Sequence, residues 1–113
     1  MSQDCLFCRM IRDEVKAAIE YDDEDVLVIH DIHAQAPHHV LIIPKKHIAK
    51  VADMEAADTV ILGNLIFQAH RVAERNGWED YRLVFNNGAG AGQSVFHIHL
   101  HLLAGRPLTW PPG

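Results

Sequence analysis

No apolar run in the chain reaches the roughly 18 residues that a membrane-crossing helix needs. Cysteine occurs only twice, so a disulfide scaffold is excluded. Basic residues are few: ten Lys and Arg stand against fifteen Asp and Glu, a formal charge of −5. Broad binding to a nucleic-acid polymer needs clustered cations, and this balance argues against it. A small phosphate-bearing ligand held by backbone N–H groups and imidazoles remains compatible with it. The opening residues, Met-Ser-Gln-Asp-Cys, have neither the basic start nor the apolar stretch of a signal peptide. A cytoplasmic location away from membranes is therefore expected. The acidic run Asp22-Asp23-Glu24-Asp25 lacks the alternation and the Gly of a calcium loop and reads as a solvated turn. With no repeat and no linker, residues 1–113 read as a single domain.

Histidine is what the chain has in excess, nine in 113 residues. His97, His99 and His101 alternate with Ile98, Leu100 and Leu102. Period-two alternation predicts a strand, with Phe96, Ile98, Leu100 and Leu102 in a core and three imidazoles on the opposite face. On such a strand the imidazoles would lie about 6–7 Å apart. Three groups that titrate near neutral pH, set in one row, point to proton chemistry, phosphoryl chemistry or metal binding.

The remaining elements follow from pattern. Residues 5–14 predict a short helix with Leu6 and Met10, and Phe7 and Ile11 beside them, facing inward. Residues 18–22 and 26–32 predict two strands, and 39–43 a third that ends at Pro44. Lys45 and Lys46 read as a solvated exit from that strand. A long helix is expected from Met54 to Asn76, capped by Asp53 and stopped by Gly77. Leu62, Leu65, Ile66, Ala69, Val72 and Ala73 would form its buried stripe, with His70 at the border. Residues 81–86 predict a fourth strand, and the Gly-rich stretch 86–92 a loop that lets a ligand approach the backbone. The tail from Arg106 cannot be helical through its prolines, and Trp110 should dock on this fold or on a partner. The expected architecture is α+β, a mostly antiparallel five-stranded sheet with one long and one short helix.

Several chemistries fit these residues. Ser94 and the loop N–H groups can hold phosphate oxygens while His99, at the centre of the triplet, attacks phosphorus and His101 assists. His-x-His plus a third His can instead hold a catalytic zinc, although no carboxylate is obviously placed as its base. A non-enzymatic nucleotide-binding or zinc-stabilised interaction module is a third reading. Cys5-Leu-Phe-Cys8 is open to three readings of its own: zinc, redox exchange, or a pair of small buried residues. His47 is open to a zinc role or a place in a surface loop.

His-Ile-His-Leu-His-Leu-Leu at 97–103 resembles the motif of the histidine triad superfamily. Nearly the whole chain is similar to its Hint branch. Cys-Leu-Phe-Cys-Arg-Met at 5–10, His-Asp-Ile at 30–32 and Ala-Pro-His-His-Val-Leu-Ile-Ile-Pro-Lys-Lys-His-Ile at 36–48 carry the likeness. So do Gly-Gln-Ser-Val-Phe before the triplet and the Trp-Pro-Pro-Gly ending. The resemblance implies a homodimer with its sheets joined, hydrolysing purine nucleoside 5′-phosphoramidates (AMP or GMP type). His99 would be the nucleophile forming a nucleotidyl-histidine, with His97 and His101 beside it and His39 in support. Ser94 and Gly92 would meet the phosphate or leaving group, Asn86 the phosphate–ribose side, and Asp31 the ribose hydroxyls. Phe7, Met10, Ile29, Ile32 and Leu41 would line the base pocket, and Trp110 would reach the partner's site. Cys5, Cys8, His47 and His97 would form a structural zinc site remote from catalysis, with no cofactor needed for the reaction. Ile29 stands where many relatives carry Phe, and Ala91 replaces a Gly of the usual Gly-Gly-Gln-Ser. Other branches act on dinucleoside polyphosphates or transfer nucleotides, and these remain alternatives.

Overall fold

The computed structural model describes residues 5–113. The first four residues, on which the reading against a signal peptide partly rests, lie outside them. Helix α1 (Leu6–Ile11) precedes strands β1 (Ile19–Asp22), β2 (Val26–His30) and β3 (His38–Pro44). Helix α2 (Thr59–Asn76), β4 (Tyr81–Val84) and β5 (Leu100–Ala104) follow. The five strands pair antiparallel in the order β1-β2-β3-β5-β4. The α+β architecture is the one expected. Among the described residues no helix is long and apolar enough to cross a membrane.

The sheet is buried on both faces at its centre, which explains why β2 and β3 read as unbroken apolar runs. Val26, Val28, Val40, Ile42, Leu100 and Leu102 pack with Leu65, Ala69 and Val72 of α2. Leu27, Ile29, Leu41 and Ile43 point the other way and pack with Phe7 of α1. His39 alternates with Val40 and His101 with Leu102, so both imidazoles belong to the α1 side of the sheet. Burying a Leu or Ile side chain contributes about 1.5–3 kcal/mol, and this double-sided centre is what holds the site rigid.

Five expectations are corrected. Helix α2 begins at Thr59, not Met54, because Asp58 rather than Asp53 organises its start. The buried Asp58 carboxylate accepts the Glu55 N–H at 2.9 Å, and the Glu55 side chain answers in a capping box. Lys46 Nζ donates to the same carboxylate at 2.7 Å, so Lys46 is not merely solvated. Ile66 lies half-exposed rather than in the buried stripe. In α1 the buried residues are Phe7 and Cys8, while Leu6 turns outward and Met10 and Ile11 are only partly covered. Phe96 is exposed too, because β5 starts only at Leu100 and the ladder never reaches it. Gly77 stops α2 as expected, in the left-handed region with φ 72°, its N–H donating to Ala73 O and Glu74 O.

Candidate active site and metal quartet

His97 and His99 precede the β5 ladder, so their rings are not spaced as a strand would space them. His99 and His101 have ring centroids 4.9 Å apart, while His97 turns to His47 at 4.8 Å. The triplet is therefore divided between two neighbouring clusters.

Hydrogen bonds fix the proton on each ring. His99 Nδ1 donates to the His97 carbonyl at 2.8 Å, which leaves its Nε2 with a lone pair. No buried side-chain N or O among the described residues lacks a partner, and this Nε2 has no hydrogen-bond partner among them, so it opens to solvent. His39 Nδ1 accepts the Gln35 N–H at 3.0 Å, so its proton sits on Nε2. That Nε2–H reaches His101 Nδ1 at 2.9 Å, with Asp31 Oδ2 at 3.4 Å. His101 consequently carries its proton on Nε2. The cluster thus offers one imidazole with an open lone pair and a neighbour with an N–H to give. Asp31, His39 and His101 have the composition of a metal site. The proton forced onto His39 Nε2 makes them a hydrogen-bonded relay instead, since a metal would require that nitrogen bare.

Burial keeps these rings neutral. It pushes His101 down to about 4, helped by the neighbouring His99 and His39. It lowers His99 as well, against the opposing effect of the bond to the His97 carbonyl. His39 is lowered by burial and partly restored by Asp31. The edge of Phe7 meets the His99 ring with centroids 5.0 Å apart.

His97 Nε2 donates to Pro44 O at 2.7 Å, which turns a bare Nδ1 toward Cys5, Cys8 and His47. Zinc with Zn–S of about 2.3 Å and Zn–N of about 2.0–2.1 Å gives tetrahedral edges of about 3.6 Å for S–N and about 3.3 Å for N–N. The observed edges are 3.4 Å for Cys5 Sγ–His97 Nδ1, 3.3 Å for Cys8 Sγ–His47 Nδ1 and 3.5 Å for Cys8 Sγ–His97 Nδ1. His47 Nδ1 and His97 Nδ1 lie 3.0 Å apart. All four donor atoms fall within 4.8 Å of one another. The quartet therefore fits zinc in both chemistry and size, and with four protein donors it leaves no open position for catalysis. Burial pushes the Cys8 thiol up to about 11, with Cys5 adding to the rise, so this thiol would deprotonate only for a cation. The quartet is not remote from the proposed nucleophile: the same His97 offers its ring to the quartet and its carbonyl to His99.

The other candidate residues are placed as follows. Phe7, Ile29 and Leu41 share one buried cluster with Met10 at its edge. Ile32 stands outside that cluster, 88% exposed. Asp31 Oδ1 accepts the His33 N–H at 2.8 Å. The loop is a tight turn from Ala89 to Ala91, and the N–H groups of Ala91, Gly92 and Gln93 are consumed within it. Gly92 thus contributes its left-handed φ of 96° rather than a free N–H, and Asn86 Nδ2 would lie 3.7 Å from a Cβ there. Ser94 is exposed, with no partner among the described residues for its N–H or hydroxyl. Trp110 does not dock on this fold: it is 82% exposed, presented by a tail that Arg82 holds through Thr109 O at 2.8 Å. A hollow of about 640 Å³ at the Ala104 end of β5 contains His38 stacked on Trp78 but no member of the triplet.

Sequence reasoning missed Gln93, buried at 4% exposure in a loop that is otherwise open. Its only signal was a long polar side chain between a Gly and the Ser, where a solvated loop needs none.

Comparison with known proteins places this geometry. An uncharacterized HIT-like protein of Synechocystis is 48% identical over the full length of both chains. The 14 kDa zinc-binding protein of Zea mays is 46% identical, over 96% of this chain and 87% of that one. The crystal structure of a HIT family hydrolase from Legionella pneumophila superposes with a TM-score of 0.95 at 48% identity, covering 97% of this chain and all of that one. A HIT family hydrolase from Clostridium thermocellum gives 0.91 at 45%, with 95% of each chain covered. The HIT domain model itself matches residues 12–108, so the chain belongs to the HIT domain family.

Proposed function

We propose that this protein is a nucleotidyl hydrolase that cleaves the P–N bond of purine nucleoside 5′-phosphoramidates through a covalent intermediate on His99. The observation that carries the reading is the distribution of protons: an open lone pair on His99 Nε2 beside an N–H on His101 Nε2. In the first step the Nε2 lone pair forms a bond to phosphorus as the bond to the amine breaks. The departing nitrogen takes a proton passed from solvent through the Ser94 hydroxyl. His101 Nε2–H meets the phosphoryl oxygen as charge builds there. In the second step water attacks phosphorus and the P–Nε2 bond breaks. Nucleoside monophosphate leaves, His99 regains its lone pair, and the spare proton of water returns to solvent.

The apolar cluster of Phe7, Ile29 and Leu41, with Met10, offers a surface for a purine. Asp31 would bind the ribose hydroxyls, and Asn86 and Gly92 would flank the phosphate. Exposed Ile32 and Trp110 gain a role in a homodimer. Two features support that assembly: β4 is an uncovered edge strand, and the outer side of α2 exposes Val60, Ile66 and Phe67. Zinc in the Cys5–Cys8–His47–His97 quartet would fix α1 against the sheet without entering the reaction.

The test is AMP release from adenosine 5′-phosphoramidate by the wild type and by His99→Ala. Loss of the nucleophile should lower kcat by about 10³-fold or more. Mass spectrometry of quenched wild type should show the nucleotidyl adduct. Activity surviving in His99→Ala above a few per cent of wild type would overturn the covalent route.

A further inference from the structure

We infer that Gln93 is a positioning residue that sets the phosphate-facing shape of the Gly88–Ser94 loop through its buried carboxamide. Its Oε1 accepts the Gly88 N–H at 2.8 Å, and its backbone N–H donates to Gly88 O at 3.1 Å. Gly88 is thereby gripped at both of its polar groups by one residue. The Gln93 amide nitrogen donates to Ala49 O at 2.8 Å and to Val95 O at 3.0 Å. Both amide hydrogens and the carbonyl are therefore used, and the start of the loop, its exit and the segment after His47 are joined at a single point.

That point matters because the loop has little else to hold it. Gly88 and Gly92 both take positive φ, Ala89 through Gly92 are exposed, and no residue from 85 to 96 other than Gln93 is buried. Asn87 supplies one further tie, accepting the Ala52 N–H at 2.7 Å. The segment to which Gln93 bonds is itself bonded to the triplet, since Ile98 N–H donates to Ile48 O at 2.7 Å. Ser94 lies between the two Gln93 anchors at Gly88 and Val95, its N–H and hydroxyl free for a ligand. Val95 packs beside the Phe7–Leu41 cluster, so the anchored exit is on the α1 side of the sheet with His101. The carboxamide thus fixes the direction of the two Ser94 donors relative to His99 without touching the ligand.

This rests on the proposed nucleotide reading, and the test separates the two. Kd for AMP and for adenosine is measured by calorimetry on the wild type, Gln93→Met and Gln93→Glu. Met keeps the length and removes every side-chain bond. Glu keeps the acceptor for Gly88 but turns a carboxylate on the carbonyls of Ala49 and Val95. Both variants should lose AMP affinity by about tenfold or more, while adenosine, which has no phosphate, should bind as in the wild type. An equal loss for the two ligands, or none for either, overturns the positioning role. Failure of both variants to fold also overturns it, making Gln93 a residue of global stability. If the wild type itself binds AMP no better than adenosine, the nucleotide reading is what fails.

Discussion

Acid should destabilise this protein through its imidazoles before its carboxylates. His101 titrates near 4 in the folded chain, against an ordinary value of 6.5, because burial and two neighbouring imidazoles oppose its charge. Above pH 6.5 the ring is neutral both folded and unfolded, so the shift contributes nothing. Below 6.5 the unfolded chain takes up a proton that the folded chain refuses. Unfolding then becomes easier by up to about 1.4 kcal/mol per pH unit for each such ring. Down to pH 4 the loss from His101 reaches about 3 kcal/mol, a large part of a typical stability of about 5–15 kcal/mol. His97, pushed to about 4 chiefly by burial, acts with the same sign. The carboxyls of Asp23 and Asp58 are held below their ordinary 3.8, so their contribution is present above that value and lost only beneath it. The two windows are separate. The assay is the urea midpoint from about pH 7.5 to about pH 4.5 for the wild type and for His101→Gln. The wild type should be flat to 6.5 and then fall, with the variant falling less steeply by up to about 1.4 kcal/mol per unit. Both chains keep the metal quartet, so its own pH dependence cancels in the difference. A wild-type midpoint that stays flat to pH 4.5, or identical slopes in the two chains, would refute the reasoning.

Two further outcomes follow from the fold. With free zinc about 1,000-fold above its Kd, binding to the folded chain alone contributes about 4.1 kcal/mol. At about 2.1 cal/mol/K per residue over 113 residues this shifts melting by about 17 °C; scanning calorimetry with and without chelator reads the shift, and coincident melts would exclude the quartet as a metal site. Gly105→Ala should destabilise by about 2–4 kcal/mol, because a Cβ at φ 98° would sit 2.9 Å from Pro37 Cβ and 3.0 Å from His38 Cδ2. Urea denaturation measures it, and a loss under about 0.5 kcal/mol would show that the β5 exit yields easily.

The parts legible in the sequence were those fixed by periodicity and backbone chemistry. Ile98, Leu100 and Leu102 keep their alternation into the α2 side of the core even though β5 starts only at Leu100. Val26–Ile29 and Val40–Ile43 announced strands, and Gly77 the end of α2. What periodicity could not show is competition among polar groups. His97 leaves the expected row because Pro44 O and the quartet bind its two ring nitrogens. The start of α2 moved by five residues because Asp58 finds Glu55 N–H and Lys46 together, a partnership that depends on a lysine twelve positions earlier. Leu6 turns outward, against the expectation, while Phe7 stays inward as expected, because Cys5 and Cys8 set the rotation of α1.

The bond from His99 Nδ1 to the His97 carbonyl has a consequence for how such proteins can diverge. A main-chain carbonyl is present whatever side chain the residue carries. The group that fixes the tautomer of His99 would therefore survive any substitution at position 97 that preserves the backbone path. The sulfur and imidazole donors around it have no such protection, since each depends on its side chain. An apolar plug of similar volume could accordingly replace the quartet, keeping α1 in place by packing alone, while the proposed nucleophile His99 keeps its proton on Nδ1. Zinc binding by the quartet and the reactivity proposed for His99 thus rest on different groups of the same residue, the ring of His97 for one and its carbonyl for the other.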